Sequence, residues 1–271
     1  MTHQVSNQAP DFSGRNLFES DPFLKQTVSQ YGANNFLESL SDFGDDCGQH
    51  HQFEAGRLAN ENPPILKAFD RVGRRINLVE YHPSYHELMS FSMRHGLHTG
   101  SWVDPSAGSL VSRCAKNYMM TQVEAGHGCP ITMTFAAVPA LKADPILADY
   151  WLPKLLSNQY DPRNVPAAEK SACTVGMAMT EKQGGSDVRA NETIASRQAD
   201  DSYRLTGHKW FCSAPMSDVF LTLAKVEDKL TCFIVPRWDL EGRPNRMQLQ
   251  RLKDKVGNRS NASSEIEYDG A

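Results

Sequence analysis

The 271-residue chain has no run of roughly eighteen or more apolar residues, so it offers nothing of the length a helix needs to cross a bilayer. Its opening residues, MTHQVSNQAPDFSG, are polar and lack the apolar centre of a secretory signal. Basic charge is not in excess either. The 28 lysines and arginines face 32 aspartates and glutamates, a formal net charge of −4, which removes any general case for nucleic acid or an anionic membrane as partner. Cysteines at C-x-x-C spacing are missing. Cys47, Cys114, Cys129, Cys173, Cys212 and Cys232 are scattered, and in a chain this long they read as reduced, mostly buried thiols of a cytoplasmic protein. There is no P-loop, no G-x-S-x-G, no G-x-G-x-x-G, no internal repeat and no low-complexity tract.

What is present changes character near residue 170. Upstream the pattern is helical. In GSLVSRCAKNYMMTQVEAG (108–126), Leu110, Val111, Cys114, Ala115, Tyr118, Met119 and Val123 fall at helical spacing, predicting one apolar face with Ser109 as N-cap and Gly126 as stop. SYHELMSFSMRHG (84–96) predicts a second helix ending at Gly96. DPILADYWLPKLLS (144–157) predicts a third, capped by Asp144 before Pro145 and bent or divided at Pro153. Shorter helices are expected at 21–30 and 34–41. CPITMTFAA (129–137) reads equally as a buried helix or as part of a substrate pocket. Downstream the period falls to two. Strands are expected at 172–179, 192–198, 202–213, 218–226, 230–237, 247–252 and 263–270, split by turn residues such as Asp200-Asp201 and Glu241-Gly242. Short strands this dense predict an antiparallel sandwich or barrel. The expected class is therefore α+β, an all-helical domain at 1–165 followed by a β domain at 166–271.

Two strand ends carry the chemistry. MAMTEKQGGSD (177–187) sets Met177, Met179 and Thr180 before a turn on Gly184-Gly185, with Ser186 and Asp187 beyond. Glycines lacking Cβ let backbone N–H groups converge on an anion, and Ser186 adds a hydroxyl. The same letters also make an ordinary turn followed by an N-cap. GHKWFCSAP (207–215) is a second strand, ending in two aromatics, Cys212 and Ser213.

Together with KDKVGNRSNASSEIEYDGA (253–271), these stretches resemble three ordered motifs of the acyl-CoA dehydrogenase family: a Met-Thr-Glu element ending in Gly-Ser-Asp, a Gly-x-Lys-x-aromatic-x-Thr/Ser element, and a Lys-x-Gly-x-Arg segment. GRLANENPPIL, CPITMTFAA and RLKDKVGNRSNAS look closest to its AidB-like subgroup. The resemblance implies FAD as cofactor. Met179 and Thr180 would meet the pyrimidine edge of the flavin, with Met177 part of the apolar bed, and Ser186 would bond the pyrophosphate where the Gly185 turn lets backbone approach. Phe211 would lie against the dimethylbenzene and central rings, with Cys212 beside it and Ser213 facing N5. Lys182 departs from the family pattern, where proline is usual. The implied reaction is α,β-dehydrogenation of an acyl-CoA thioester, in which a glutamate removes the α proton and the β hydride passes to N5. In the family that base comes from a second helical domain after the β domain. The chain therefore reads as an N-terminal part lacking the base, the rest of the flavin site and the oligomer core. For the subgroup, an alternative role in the DNA alkylation response places a DNA surface in that same missing part.

Two further constellations weigh less. His82 and His86 stand four apart, but Pro83 lies between them and no second pair shares the spacing, so no metal site is expected. Arg243, Arg246, Arg251, Lys253, Lys255 and Arg259 form a basic run that reads first as a solvated strand edge, second as a contact for nucleic acid or coenzyme A phosphates.

Overall fold

A computed structural model describes residues 2–271. The helical half consists of α1 (Pro22–Gln30), α2 (Leu37–Cys47), α3 (His50–Glu61), α4 (Pro83–Arg94), α5 (Ser109–Val123), α6 (Gly128–Leu141) and α7 (Pro145–Leu155). Three of these start as short polar caps dictate. Asp21 accepts from Leu24 N, Asp144 from Ile146 N and Leu147 N, and His82 from Ser84 N, each just before a proline in the first turn. The helix α7 runs through Pro153 without being divided.

The α5 expectation needs correction at both ends and on its face. Its N-cap is Gly108 in the left-handed region, and Ser109 makes no capping bond. It stops at Val123, three residues before Gly126, because Glu124 turns to extended backbone (φ −160°) and aims its carboxylate at the next turn. Leu110 and Tyr118 are exposed, whereas Arg113 is buried, its Nε donating to Leu97 O and its guanidinium 3.6 Å from the Phe135 ring centroid. That side chain stacks and bonds inward at a position the apolar pattern leaves out, while Leu110 and Tyr118 lie outward.

A hairpin not expected from the sequence interrupts the helices. Strands β1 (Ile65–Phe69) and β2 (Arg75–Glu80) pair antiparallel around a turn whose Asp70 carboxylate accepts from Val72 N and Arg74 N. Asn77 on β2 donates to Met247 O and accepts from Leu249 N, so the hairpin is stitched to the β half.

The β half contains β3 (Val175–Thr180), β4 (Ile194–Arg197), β5 (Tyr203–Ser213), β6 (Val219–Val226), β7 (Lys229–Pro236), β8 (Met247–Leu252) and β9 (Ser263–Asp269), each within about three residues of its expected bounds. The sheet order is β3-β6-β4-β5-β9-β8, with β7 on β6 and β3 also pairing β5. The pairs β3–β6 and β4–β6 are parallel and the rest antiparallel, so the sheet is mixed. Because β3 touches both β6 and β5, the path closes on itself as a barrel does. Its interior holds Ala178, Leu205, Cys212, Phe220, Ile266 and Tyr268. A second cluster, with Ala137, Leu141, Trp151 and Leu155 from α6 and α7 against Val175, Val219 and Leu221, joins the helical half to the outer face of β3 and β6.

Candidate functional site

The site begins with a register shift. In the β3–β5 pair Met177 lies opposite Ser213 and Thr180 opposite Phe211, three residues on one strand against two on the other. Paired residues share a face, and a one-residue offset flips every side chain beyond it. The extra residue on β3 is a bulge that brings Thr180 onto the face of Met177, Phe211 and Ser213. Met179 falls within the bulge, while Ala178 and Cys212 point into the barrel, both 0% exposed. Of the eight expected contacts, four thus form one wall. Met177 and Met179 are half-buried and pack partly against the α6–α7 cluster. Phe211, 43% exposed, presents a large aromatic ring to the open side. Cys212 brings only backbone, and its carbonyl accepts from Ser264 Oγ.

The glycine turn folds back onto this wall. Glu181 bridges to Gly184, and a Cβ added at Gly185 would sit 2.6 Å from Thr180 Oγ1. A side chain there would have to displace the Thr180 hydroxyl, so glycine lets the exposed turn backbone lie against it, with exposed Ser186 next along the chain. Asp187 is used locally, accepting from Arg189 N as the cap of a short turn.

A buried ion pair holds the turn in place. Glu181 and Lys209 are 0% exposed at their side chains and 2.7 Å apart. The carboxylate also accepts from Thr193 Oγ1 at 2.6 Å, Thr193 N at 3.1 Å and Glu192 N at 2.6 Å. Burial by itself would raise this carboxyl, but the Glu192 N–H, the ammonium and the Thr193 hydroxyl outweigh it and bring it down to about 2. Asn191 Nδ2 donates to Met179 O, tying the far end of the loop to β3. The glutamate of the first motif and the lysine of the second are therefore one structural unit, 28 residues apart in sequence. Lys182, the departure from the family pattern, donates its backbone N–H to His208 Nε2 at 3.1 Å, a bond that a proline lacks.

The inner end of the wall meets α6. The Cys129 thiol neighbours the Ser213 and Asn261 side chains. Burial pushes that thiol up, and Ser213, the Lys255 ammonium and Asn261 pull it part of the way back. Asn261 is 3% exposed and its Oδ1 has no partner. Lys255 Nζ donates to Asn261 O at 2.5 Å.

Behind this lies a second buried network. Glu124 Oε2 meets His127 Nδ1 at 2.7 Å, and His127 Nε2 meets Ser92 Oγ at 2.8 Å. Glu124 Oε1 accepts from Gly126 N, Asn60 Nδ2 and Ser260 Oγ. Burial raises the Glu124 carboxyl, but the His127 ring and the other donors bring it down to about 2. The order Ser–His–Glu resembles a hydrolytic triad, yet Ser92 and His127 are 0% exposed and no acyl group could reach the hydroxyl. The network joins α3, α4, the 124–127 turn and the 255–262 loop.

The remaining candidates are placed as follows. His82 caps α4, and His86 Nδ1 bonds Tyr160 OH at 2.9 Å. Half of the basic run is paired, Arg243 with Asp239 and Glu241, and Arg251 and Lys253 with Glu265, while Arg246 and Arg259 are exposed. Lys253 Nζ also sits 3.2 Å from the Trp210 ring centroid.

An open aromatic, two hydroxyls on one face and a Cβ-free turn closing over one of them fit a flat ring with a hydrogen-bonding edge and an anionic tail. A helical half leading into this mixed barrel is the architecture of acyl-CoA dehydrogenases. Family models for the adaptive response protein AidB N-terminal domain and the acyl-CoA dehydrogenase middle domain match residues 7–162 and 176–271. The chain is 46% identical to the putative acyl-CoA dehydrogenase AidB of Escherichia coli over its whole length, which is 50% of that protein. It superposes on Caenorhabditis elegans ACDH-11 in complex with C11-CoA with a TM-score of 0.85 and 27% identity, covering 100% of this chain and 48% of that one. An acyl-CoA dehydrogenase from Bacillus anthracis complexed with FAD shares the fold at a TM-score of 0.54 and 20% identity, over 70% of this chain and 30% of that one. The chain belongs to the AidB branch of the acyl-CoA dehydrogenase family, and it spans about half the length of the relatives it matches.

Proposed function

We propose that this chain forms the flavin-facing half of an FAD-dependent acyl-CoA dehydrogenase of the AidB type. The observation that carries the reading is the bulged pairing of β3 with β5, which gathers Met177, Thr180, Phe211 and Ser213 on one face. Thr180 and the Met179 backbone serve the pyrimidine edge of the ring. The Gly185 backbone and the Ser186 hydroxyl hold the pyrophosphate, an arrangement that needs no cation. Phe211 lies along the ring system, Cys212 lends backbone, and the Ser213 hydroxyl is set toward N5 with Cys129 beside it.

FAD, when bound, supplies the hydride acceptor for the α,β-dehydrogenation of an acyl-CoA thioester. The residues of this chain bind and orient it, and they shield one of its faces from water. Glu124 and Glu181 take no part as bases, because each is held low and spent on buried donors. The base and the opposite wall of the flavin site come from sequence outside these 271 residues, as does the contact surface of a homo-oligomer. Six unpaired cysteines fit a reducing cytoplasm. Three of the six cations in the basic run are paired within the fold, and nothing in the arrangement of the others favours DNA as partner.

The test is to express the chain together with its downstream coding sequence and record absorbance over roughly 350–500 nm, where flavins absorb. A yellow protein releasing FAD on denaturation is expected. A colourless protein that takes up no added FAD would overturn the proposal.

A further inference from the structure

A cavity of about 250 Å³ adjoins the inner end of the flavin wall, reaching Ala214 and Pro130, and lies between β2, α4, the 160–164 segment and the turn after β5. Its lining shares no residue with the eight expected flavin contacts. One side is apolar, with Leu78, Val79, Met89, Pro130 and Met216, and Tyr85 stacked on Tyr81 at 4.2 Å. The other side is polar: Glu80 and Asp161 line it with their carboxylates turned to Lys67 and Arg163, and its donors are Ser217 and Lys170. Ser217 is 3% exposed, lines the cavity, and its Oγ has no partner. Lys170 also lines it, with a side chain 4% exposed, and its ammonium spends one N–H on Asp218 Oδ1 at 2.7 Å. The other Asp218 oxygen is taken by Thr174 N. Arg237, buried behind Asn164 and bonded to it, is held well below the usual guanidinium range, first by burial, while Asp218 pulls it back up. Lys170 is thus the cation bonded to Asp218, while the Arg237 guanidinium bonds Asn164 Oδ1, Asn77 O and Pro215 O. A buried hydroxyl without a partner costs about 1–3 kcal/mol, and an ammonium with spare donors seeks oxygen.

We infer that this cavity is a second small-molecule site, taking a compact carboxylate with an aromatic or branched apolar body: the carboxylate oxygens meet Ser217 Oγ and Lys170 Nζ, and the body lies among Tyr85, Met89 and Met216. Size sets the class. At about 250 Å³ the cavity is smaller than the ~300–1,000 Å³ of sites for drug-sized ligands, which favours a compact occupant. The Tyr160–His86 pair closes one flank, the His86 ring being kept neutral by burial, and adds no competing cation.

The full-length protein, with and without saturating FAD, is titrated by calorimetry with benzoate, isovalerate and benzamide. Saturable binding of both acids is expected, with benzamide weaker and FAD without effect. Ser217→Ala, a change small enough to keep the fold, should weaken benzoate about tenfold through loss of one charge-assisted bond. Met216→Phe, which reduces the space from the turn, should lower the affinity of both acids, with thermal unfolding as the check that each variant is intact. A flat titration at millimolar acid would show a water-filled cavity and sink the inference. So would binding that Ser217→Ala leaves unchanged, or binding that FAD displaces, which would put the acid on the flavin wall. Since the titration is also run without FAD, it stands or falls separately from the flavin reading.

Discussion

Replacing Lys209 by methionine keeps the length and apolar stem of the side chain and removes only its charge. The Glu181 carboxylate is then left in a fully buried position with three of its donors, two backbone N–H groups and the Thr193 hydroxyl. Breaking a buried pair from one side costs about 3–5 kcal/mol. The surviving donors place this case at the lower end, about 3 kcal/mol. At roughly 2–4 °C per kcal/mol for chains of this size, calorimetry should show Tm falling by about 6–12 °C. The loss should concentrate where the pair acts, so the 181–193 loop should become cleavable by protease and FAD affinity should fall with it. The double variant Glu181→Gln, Lys209→Met removes the stranded charge and should recover at least half of the lost Tm. A Tm within about 2 °C of the parent for Lys209→Met alone, or a double variant worse than the single, would refute the reasoning, because both require that Glu181 is not truly desolvated.

Ser186→Ala and Thr180→Val should each weaken FAD binding by about 1–3 kcal/mol, followed by flavin fluorescence, with His82→Ala as the silent control. FAD should protect Cys129 from alkylation, read by mass spectrometry, and leave the exposed thiols Cys114 and Cys232 as reactive as before. Glu124 is held at about 2 against an ordinary 4.5. Its folded value is the lower one, so its stabilisation is fully present above about pH 4.5 and is lost as pH falls toward 2, about 3 kcal/mol in all at ~1.4 kcal/mol per pH unit. Glu124→Gln should therefore lower Tm at neutral pH and flatten its fall in acid, whereas a parallel downward shift at every pH would contradict the assignment.

The change of period near residue 170 was enough to read the two halves and the bounds of all seven strands, because alternation is written locally. Pairing is not. The parallel contacts of β6 with β3 and β4 join strands far apart in sequence, and nothing in either segment marks them. The β1–β2 hairpin went unseen since its strands are short and mostly half-exposed, which leaves little alternation to detect. At the site, the motifs located both strand ends, but the bulge that turns Thr180 onto the Ser213 face is visible only in the register. Alternation did contain one overlooked signal. With Phe211 and Ser213 facing out, Cys212 had to face in, and its thiol could not serve the ring. Glu181 and Lys209 were both inside recognised motifs, yet a bond across 28 residues leaves no trace in spacing. Gly126 misled as a helix stop because the turn it occupies belongs to Glu124 and His127.

Hydrogen–deuterium exchange of the full-length protein with and without FAD bears most directly on the flavin wall. Slowed exchange is expected in two separate peptides, one covering 177–187 and one covering 208–214, while the β1–β2 hairpin at 65–80 is unaffected. Protection confined to one of the two strand ends, or found only elsewhere in the chain, would mean that β3 and β5 do not hold the cofactor between them.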